Sequence, residues 1–237
     1  ASPTNYTQQT LQIFQWIPSV EQYQPLSNIH ISGEGIVVAI PSDYNGDGML
    51  DILIQMDNDG NNTATIYYGN RKEFTSDYEL SPAPSTRSHL LLMDYNMDLK
   101  PDLFGETISG QRGFWVNHGD GTFLFNAFPS TVELNPITDP NSNAFVDING
   151  DCLADLVVFS RNETTETNYM EIWLLSGSGA TLDRLITLPK GAGQVSFADL
   201  DRDGTTDFVF PVCDPAPNCS VSNTIEIIYN VQLPMCS

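Results

Sequence analysis

Asp43-Tyr44-Asn45-Gly46-Asp47-Gly48-Met49-Leu50-Asp51 is the stretch on which the reading of this 237-residue chain turns. Oxygen-bearing side chains stand at positions one, three, five and nine (Asp43, Asn45, Asp47 and Asp51), and glycines at four and six permit a tight turn. The stretch returns as Asp94-Tyr95-Asn96-Met97-Asp98-Leu99-Lys100-Pro101-Asp102. It returns again as Asp147-Ile148-Asn149-Gly150-Asp151-Cys152-Leu153-Ala154-Asp155 and as Asp199-Leu200-Asp201-Arg202-Asp203-Gly204-Thr205-Thr206-Asp207. The leading aspartates are 51, 53 and 52 residues apart, so each unit is one supersecondary module with small insertions.

The flanks repeat with the loops. A short apolar run precedes each: Gly35 to Ile40, His89 to Met93, Ala144 to Val146 and Val195 to Ala198. Another follows each: Ile52 to Ile54, Leu103-Phe104, Leu156 to Phe159 and Phe208 to Phe210. A third segment with an aromatic residue comes after these, at Ile66-Tyr67-Tyr68, Phe114-Trp115-Val116, Ile172-Trp173-Leu174 and Ile225 to Tyr229. Short β-branched or aromatic runs bounded by Gly or Pro read as buried strands, and no amphipathic helix of ten residues or more stands out. Each unit is therefore expected to be a small antiparallel sheet of about three or four strands, and such units repeated radially make a β-propeller. A β-sandwich is the rival all-β architecture, but it requires no repeat of about 52 residues.

Oxygen ligands at positions one, three, five and nine, with the backbone carbonyl at seven (Met49, Lys100, Leu153 and Thr205), can wrap a hard cation. An EF-hand is excluded, because position twelve falls on Ile54, Gly105, Val158 and Phe210, none of them a ligand. Calcium suits the set, up to four ions in all; magnesium retains more water, and zinc or iron wants His or Cys. In loops one to three Asn at position three leaves a side-chain charge of −3, whereas loop four (Asp199, Asp201, Asp203 and Asp207) carries −4 beside Arg202. Loop two departs from the pattern, with Met97 and Leu99 in place of both glycines, yet keeps Asp94, Asn96, Asp98 and Asp102. Loop three keeps Asp147, Asn149, Asp151 and Asp155, with Cys152 where a glycine is usual. The plainer reading is that these are acidic turns in which Asp and Asn satisfy their own backbone.

Thirteen of the 30 acidic residues lie in these four windows, and against nine Lys plus Arg the formal charge is −21. No basic footprint exists for nucleic-acid phosphates or for anionic lipid. The N-terminal stretch has no basic start and no apolar run, and nothing approaches the ~18 apolar residues of a membrane span. The expected compartment is extracellular. Four cysteines form an even set, with Cys213 and Cys219 bracketing a short loop and Cys152 with Cys236 as the remaining pair. Asn5, Asn61, Asn162 and Asn218 each open an N-glycosylation triplet, and weak calcium sites fill where calcium is plentiful, outside cells.

An apolar strand, Asp-x-Asp/Asn-x-Asp-Gly-x-x-Asp and a second apolar strand resemble the FG-GAP repeat of integrin alpha-subunit propellers. A closer likeness lies in Ile40 to Asp47, in Leu92 to Asn96 running on to Pro101-Asp102-Leu103-Phe104-Gly105, and in Asn143 to Asp147 with Ala154-Asp155-Leu156. Glu171-Ile172-Trp173, Ser196 to Gly204 and the paired-cysteine segment after Phe210-Pro211 complete it. Over about residues 10–230 these resemble the T-cell immunomodulatory protein family, also called integrin-alpha FG-GAP repeat-containing protein or Linkin. The resemblance implies a seven-bladed propeller with Ca²⁺ between the first two strands of a blade. It implies a glycosylated, single-pass surface protein linked to adhesion and T-cell modulation, with no enzymatic activity. Only four complete repeats and no membrane span are present here. The expectation is thus a partial FG-GAP-type propeller of about four and a half blades of seven. Residues 1–30 would end a preceding blade, with blades at 31–82, 83–134, 135–186 and 187–237 carrying calcium loops 43–51, 94–102, 147–155 and 199–207. The chain would be a fragment, a processed piece or part of a ring completed by another chain, and it would reach a membrane only through a segment absent from it.

No Gly-x-Ser-x-Gly elbow, P-loop or His-Glu-x-x-His is present, and the clustered carboxylates are committed to cation loops. His118 reads as a surface turn residue, and Trp16, Trp115 and Trp173 as core aromatics. The leading expectation is a non-catalytic extracellular adhesion or recognition module with a protein or glycan partner. A secreted lectin-like propeller and a subunit of a larger extracellular assembly are the alternatives.

Overall fold

The computed structural model describes residues 9–31, 35–58, 61–70, 74–79, 86–129, 134–138, 141–176, 179–216 and 218–231. Every regular element among them is a strand. β1 (Gln9–Ile17) and β2 (Gln22–Ile31) form a two-stranded hairpin. β3 (Ile36–Ser42), β4 (Asp51–Asn58), β5 (Asn61–Gly69) and β6 (Phe74–Glu79) form a four-stranded sheet. So do β7 (Leu91–Met93), β8 (Asp102–Glu106), β9 (Arg112–Asn117) and β10 (Phe123–Ala127). A further four-stranded sheet holds β11 (Ala144–Val146), β12 (Asp155–Asn162), β13 (Thr167–Ser176) and β14 (Gly179–Thr187). The last sheet has three strands, β15 (Ser196–Ala198), β16 (Asp207–Asp214) and β17 (Ser222–Ile228).

Within each sheet, strands adjacent in sequence are adjacent in space and antiparallel, the meander of a propeller blade. The fold is all-β and of the FG-GAP propeller type, as the repeat predicts. In the sheets of three and four strands, the second strand is buried on both faces over its first residues. In β4, Ile52 and Ile54 join Ile29 and Ile31 of the hairpin, while Leu53 points the other way into a cluster with Leu103 and Trp115. Such two-sided burial explains why β4, β8 and β12 read as continuous apolar runs rather than alternating ones.

The chain divides into two compact units, residues 1–127 and 128–237. The first is built on Tyr44, Leu53, Ile66, Leu103, Trp115 and Phe123. The second is built on Val157, Phe159, Met170, Ile172, Phe208, Phe210 and Val212. Trp115 and Trp173 are buried, in keeping with the sequence reading, but Trp16 is not. It lies 46% exposed on β1, edge-on to the exposed Tyr23 at 5.1 Å, because a two-stranded hairpin has only one covered face to offer. Cys213 and Cys219 are disulfide-bonded, as expected. Cys152 is not free, and Cys236 lies outside the described residues. No helix among the described residues is long and apolar enough to cross a membrane.

Candidate metal centre

All four nine-residue windows occupy the same place: the connection from the first to the second strand of a sheet. The ninth aspartate closes it, pairing across the ladder with the residue just before the first, as Ser42 with Asp51, Met93 with Asp102, Val146 with Asp155 and Ala198 with Asp207. Positions four and six are left-handed in every loop. Glycine supplies this at Gly46 (φ 76°), Gly48 (φ 78°), Gly150 (φ 82°) and Gly204 (φ 87°). Met97 (φ 60°), Leu99 (φ 64°), Cys152 (φ 71°) and Arg202 (φ 65°) adopt it against their preference. Loop two therefore keeps the common backbone despite lacking both glycines.

Inside the turn the carboxylates gather backbone donors. Asp43 Oδ1 accepts from the N–H of Gly46 (2.8 Å) and Asp47 (3.2 Å), and its Oδ2 from Gly48 (2.8 Å). Asn45 Oδ1 accepts from Asp47 N–H at 3.0 Å, and Asp47 Oδ1 from Met49 N–H at 2.8 Å. Loop two repeats the arrangement with Asp94, Asn96 and Asp98 accepting from Asp98, Leu99 and Lys100. Loop three repeats it with Asp147, Asn149 and Asp151 accepting from Gly150, Asp151, Cys152 and Leu153. In loop four Asp199 accepts from Gly204, Asp201 from Asp203, and Asp203 from Thr205. The residues at position seven, Met49, Lys100, Leu153 and Thr205, are thus pinned through their N–H groups.

The ninth carboxylate has a second role that the ligand pattern does not reveal. Asp51, Asp102, Asp155 and Asp207 are fully buried. One oxygen of each accepts the N–H of position two: Tyr44 (2.9 Å), Tyr95 (2.9 Å), Ile148 (3.1 Å) and Leu200 (2.8 Å). The other accepts an N–H at or just past the end of the third strand: Gly69 (2.9 Å), Asn117 (2.8 Å), Leu175 (3.1 Å) and Asn230 (2.9 Å). Each aspartate ties its loop to the third strand of its own sheet. Burial pushes the carboxyls of Asp51, Asp102 and Asp155 above the usual range, against the lowering effect of these hydrogen bonds.

The donor set fits a hard divalent cation: carboxylate and amide oxygens, with no sulfur or imidazole. Carboxylate oxygens of Asp199, Asp201 and Asp207 lie within 4.8 Å of one another. Among the described residues, loop four alone gathers three carboxylates this closely. Asp201 is raised above the usual range, first by desolvation and then by the charges of Asp203, Asp207 and Asp199. Loop two differs in that the Lys100 ammonium sits 3.1 Å from Asp98 Oδ2. Slight desolvation would raise Asp98, but hydrogen bonds from the Lys100 side chain and backbone and from Asn96 outweigh it and hold the carboxyl low.

Of the glycosylation triplets, Asn218 is exposed inside the Cys213–Cys219 loop. Asn162 opens the β12–β13 turn and accepts from the N–H of Thr164 and Thr165, each at 3.0 Å. Asn61 begins β5, its side chain outside the described ones, and Asn5 lies outside the described residues. His118 is exposed at the β9–β10 turn. Sequence reasoning missed Gln55, buried in β4, whose amide donates to Thr86 Oγ1 (2.8 Å) and the Ser88 carbonyl (3.0 Å) while its oxygen accepts from Leu90 N–H (3.0 Å). It also missed buried Glu171, which accepts from the Ser160 hydroxyl and, at 2.9 Å, from the Trp173 indole.

The FG-GAP-like repeat family profile matches residues 43–105, 94–158 and 147–210, three overlapping spans that each run from one loop through the next. The chain belongs to the FG-GAP-like repeat family. It is similar to the T-cell immunomodulatory protein homolog of Plasmodium falciparum (isolate 3D7), 31% identical over 265 residues, covering 94% of this chain and 37% of that protein. It is similar also to the homolog of Plasmodium yoelii yoelii (31% over 266 residues, 96% and 38%). The human T-cell immunomodulatory protein is 29% identical over 200 residues, 81% of this chain and 32% of its own length. These likenesses bear out the family read from the motifs, and the chain spans about a third of the length of the curated relatives it matches.

Proposed function

We propose that this chain is a non-catalytic, calcium-binding propeller segment that serves recognition or adhesion at a cell surface or outside cells. The observation that carries the reading is a turn of one backbone shape at one place in four sheets, with carboxylate oxygens of Asp199, Asp201 and Asp207 gathered within 4.8 Å in the fourth. Crowded carboxylates repel, and a divalent ion supplies the missing counter-charge. The similarity to proteins named T-cell immunomodulatory protein, the FG-GAP-like repeats and the Cys213–Cys219 disulfide support an extracellular setting. The loop carboxylates are spent on backbone donors, which leaves them poorly placed as general acids or bases.

Calorimetric titration of the intact chain with calcium should show saturable binding, and melting should rise in calcium relative to chelator by the linkage of ligand to the folded state. No heat of binding together with unchanged melting would remove the calcium from this reading. Beads coated with the chain should capture cells in calcium and release them in chelator; capture indifferent to both conditions would remove the adhesive role.

A second reading, glycan binding, is favoured by a cavity of about 260 Å³ in the second unit. Thr138, Ser142, Arg161, Asn168, Tyr169 and Gln194 line it, and Asn168 Oδ1 is buried there without a hydrogen-bond partner. Neutral amides and hydroxyls beside an aromatic ring suit sugar hydroxyls. Binding on a glycan array that Asn168→Ala abolishes would favour it, and an array without signal would set it aside.

A further inference from the structure

Two asparagines outside every ligand pattern tie the loops together in pairs. Asn117, at the end of β9, is buried. Its backbone N–H donates to Asp102 Oδ1 of loop two at 2.8 Å. Its side-chain Nδ2 donates at 2.9 Å to the carbonyl of Tyr44, position two of loop one. Tyr44 N–H in turn donates to Asp51 Oδ2 at 2.9 Å. One continuous path therefore joins the ninth carboxylates of adjacent loops: Asp51, Tyr44, Asn117, Asp102. The amide cannot rotate out of it, because Nδ2 also reaches the Pro101 carbonyl (3.3 Å) and Oδ1 accepts the Gly119 N–H (2.8 Å).

The second unit repeats the path with other residues. Asn230 N–H donates to Asp207 Oδ1 (2.9 Å), Asn230 Nδ2 donates to the Ile148 carbonyl (3.0 Å), and Ile148 N–H donates to Asp155 Oδ2 (3.1 Å). Thr205, at position seven of loop four, adds a hydroxyl bond to the Asn230 carbonyl at 2.7 Å. Asn117 follows its aspartate by 15 residues and Asn230 by 23, so two hairpins of different length deliver an amide to the same point. Gly69 and Leu175 occupy the equivalent place in the other two sheets and donate only their backbone N–H.

We infer that Asn117 and Asn230 are positioning residues that couple cation binding in neighbouring blades, so that loops one and two fill as one cooperative pair and loops three and four as another. The inference rests on the calcium reading above. Fixing Asp102 fixes the Asn117 N–H, and with it the amide that sets the Tyr44 peptide and hence Asp51. By reciprocity, ordering loop one does the same for loop two. The path is made of buried hydrogen bonds, each with one donor and one acceptor, so coupling has a physical carrier rather than proximity alone.

The test uses the whole chain with loops three and four silenced by Asp151→Ala and Asp203→Ala, and follows calcium alone by calorimetry. Removing loop two with Asp98→Ala should weaken loop one by about fivefold or more, the lower bound of ordinary allosteric coupling. With Asn117→Ala in place, the same removal should leave loop one within about twofold. Asn117→Asp keeps an acceptor for Gly119 and loses the donor to Tyr44, so it should uncouple the pair as well. Melting in chelator shows whether each variant folds; if neither does, Asn230→Ala with loops one and two silenced reads the same ratio in the second unit. Independent sites in the parent, or coupling undiminished in the asparagine variants, overturns the inference while leaving calcium binding intact. No calcium bound by the unaltered chain overturns the calcium reading and this inference with it.

Discussion

Asp51→Asn separates the architectural role of the ninth position from its role as a ligand. The Asp51 carboxylate is fully buried and spends one oxygen on Tyr44 N–H and the other on Gly69 N–H, each at 2.9 Å. Asparagine keeps one acceptor and turns the other into a donor that faces an N–H. One buried amide then loses its partner, at about 1–3 kcal/mol. Burial raises the Asp51 carboxyl, so a neutral side chain recovers part of the desolvation, and the lower half of that range is expected. In a unit of this size about 1 kcal/mol corresponds to a melting shift of about 2–4 °C. Asp47→Asn is the control within the same loop. Asp47 is exposed and accepts only from Met49 N–H (2.8 Å) and Asn45 Nδ2 (3.3 Å), so its loss should stay within about 0.5 kcal/mol. Both variants are melted in excess chelator, where no cation contributes. Asp51→Asn should melt lower and Asp47→Asn should not; in calcium both should lose part of the ligand-induced gain. Equal melting of Asp51→Asn and the unaltered chain in chelator would refute the keystone role of the buried carboxylate.

Leu99 stands 92% exposed at φ 64°, so Leu99→Gly removes almost no packing. Relief of about 1–2 kcal/mol of left-handed strain, less about 0.5–1 kcal/mol of glycine entropy, should leave a net stabilisation of about 0.5–1 kcal/mol by urea titration. A loss of stability would show that the strain assignment is wrong. Asp201→Asn keeps the oxygen that accepts Asp203 N–H and removes one of the four charges in its loop, so it should raise melting in chelator and lower the calcium affinity of the loop. A fall in both would mean that the charge is structural. The pH dependence in chelator has a definite sign. Asp51, Asp102 and Asp155 titrate above the ordinary range in the fold, so the folded chain binds protons more readily than the unfolded one. Their contribution is fully present below the unfolded value and is lost as pH rises through the folded one. Asp98, Asp120 and Asp203, held low, act oppositely but lie at the surface, where screening is strong. Melting in chelator should therefore rise as pH falls from about 7 towards about 5, in the upper reach of carboxyl titration; a steady decline over that interval would contradict the assignment.

The strands and the loop positions were legible because both are local. A period near 52 residues, a short apolar run on each side and a nine-residue window suffice to locate a blade's first two strands. Met97 and Leu99 show how far this reaches: their residue types argue against the turn, yet the surrounding pattern places it correctly. The keystone bonds were not legible, because the partners of Asp51, Asp102, Asp155 and Asp207 lie 18, 15, 20 and 23 residues away, a spacing set by hairpin length. Asn117 and Asn230 were hidden for the same reason. Trp16 was misread because aromatic residues bury wherever a second layer exists, and β1 lies in a two-stranded hairpin with one covered face.

An acidic turn and the proposed cation site make different demands on the four loops. A turn that needs only acceptors for its own N–H groups is served by neutral oxygens, as Asn45, Asn96 and Asn149 show at position three. Asp201 makes the same bond to Asp203 N–H with a charge added, and its exposed carboxyl is driven up by slight desolvation and by three neighbouring carboxylates. That charge gains nothing from the backbone that an amide would not give, and it destabilises the metal-free turn. Loop two carries the converse case: Lys100 sits against Asp98 and neutralises part of a set whose glycines are already gone. If calcium is the occupant, the intrinsic affinity of each loop should follow this order, with loop four strongest and loop two weakest, because a greater ligand charge attracts a divalent ion more strongly.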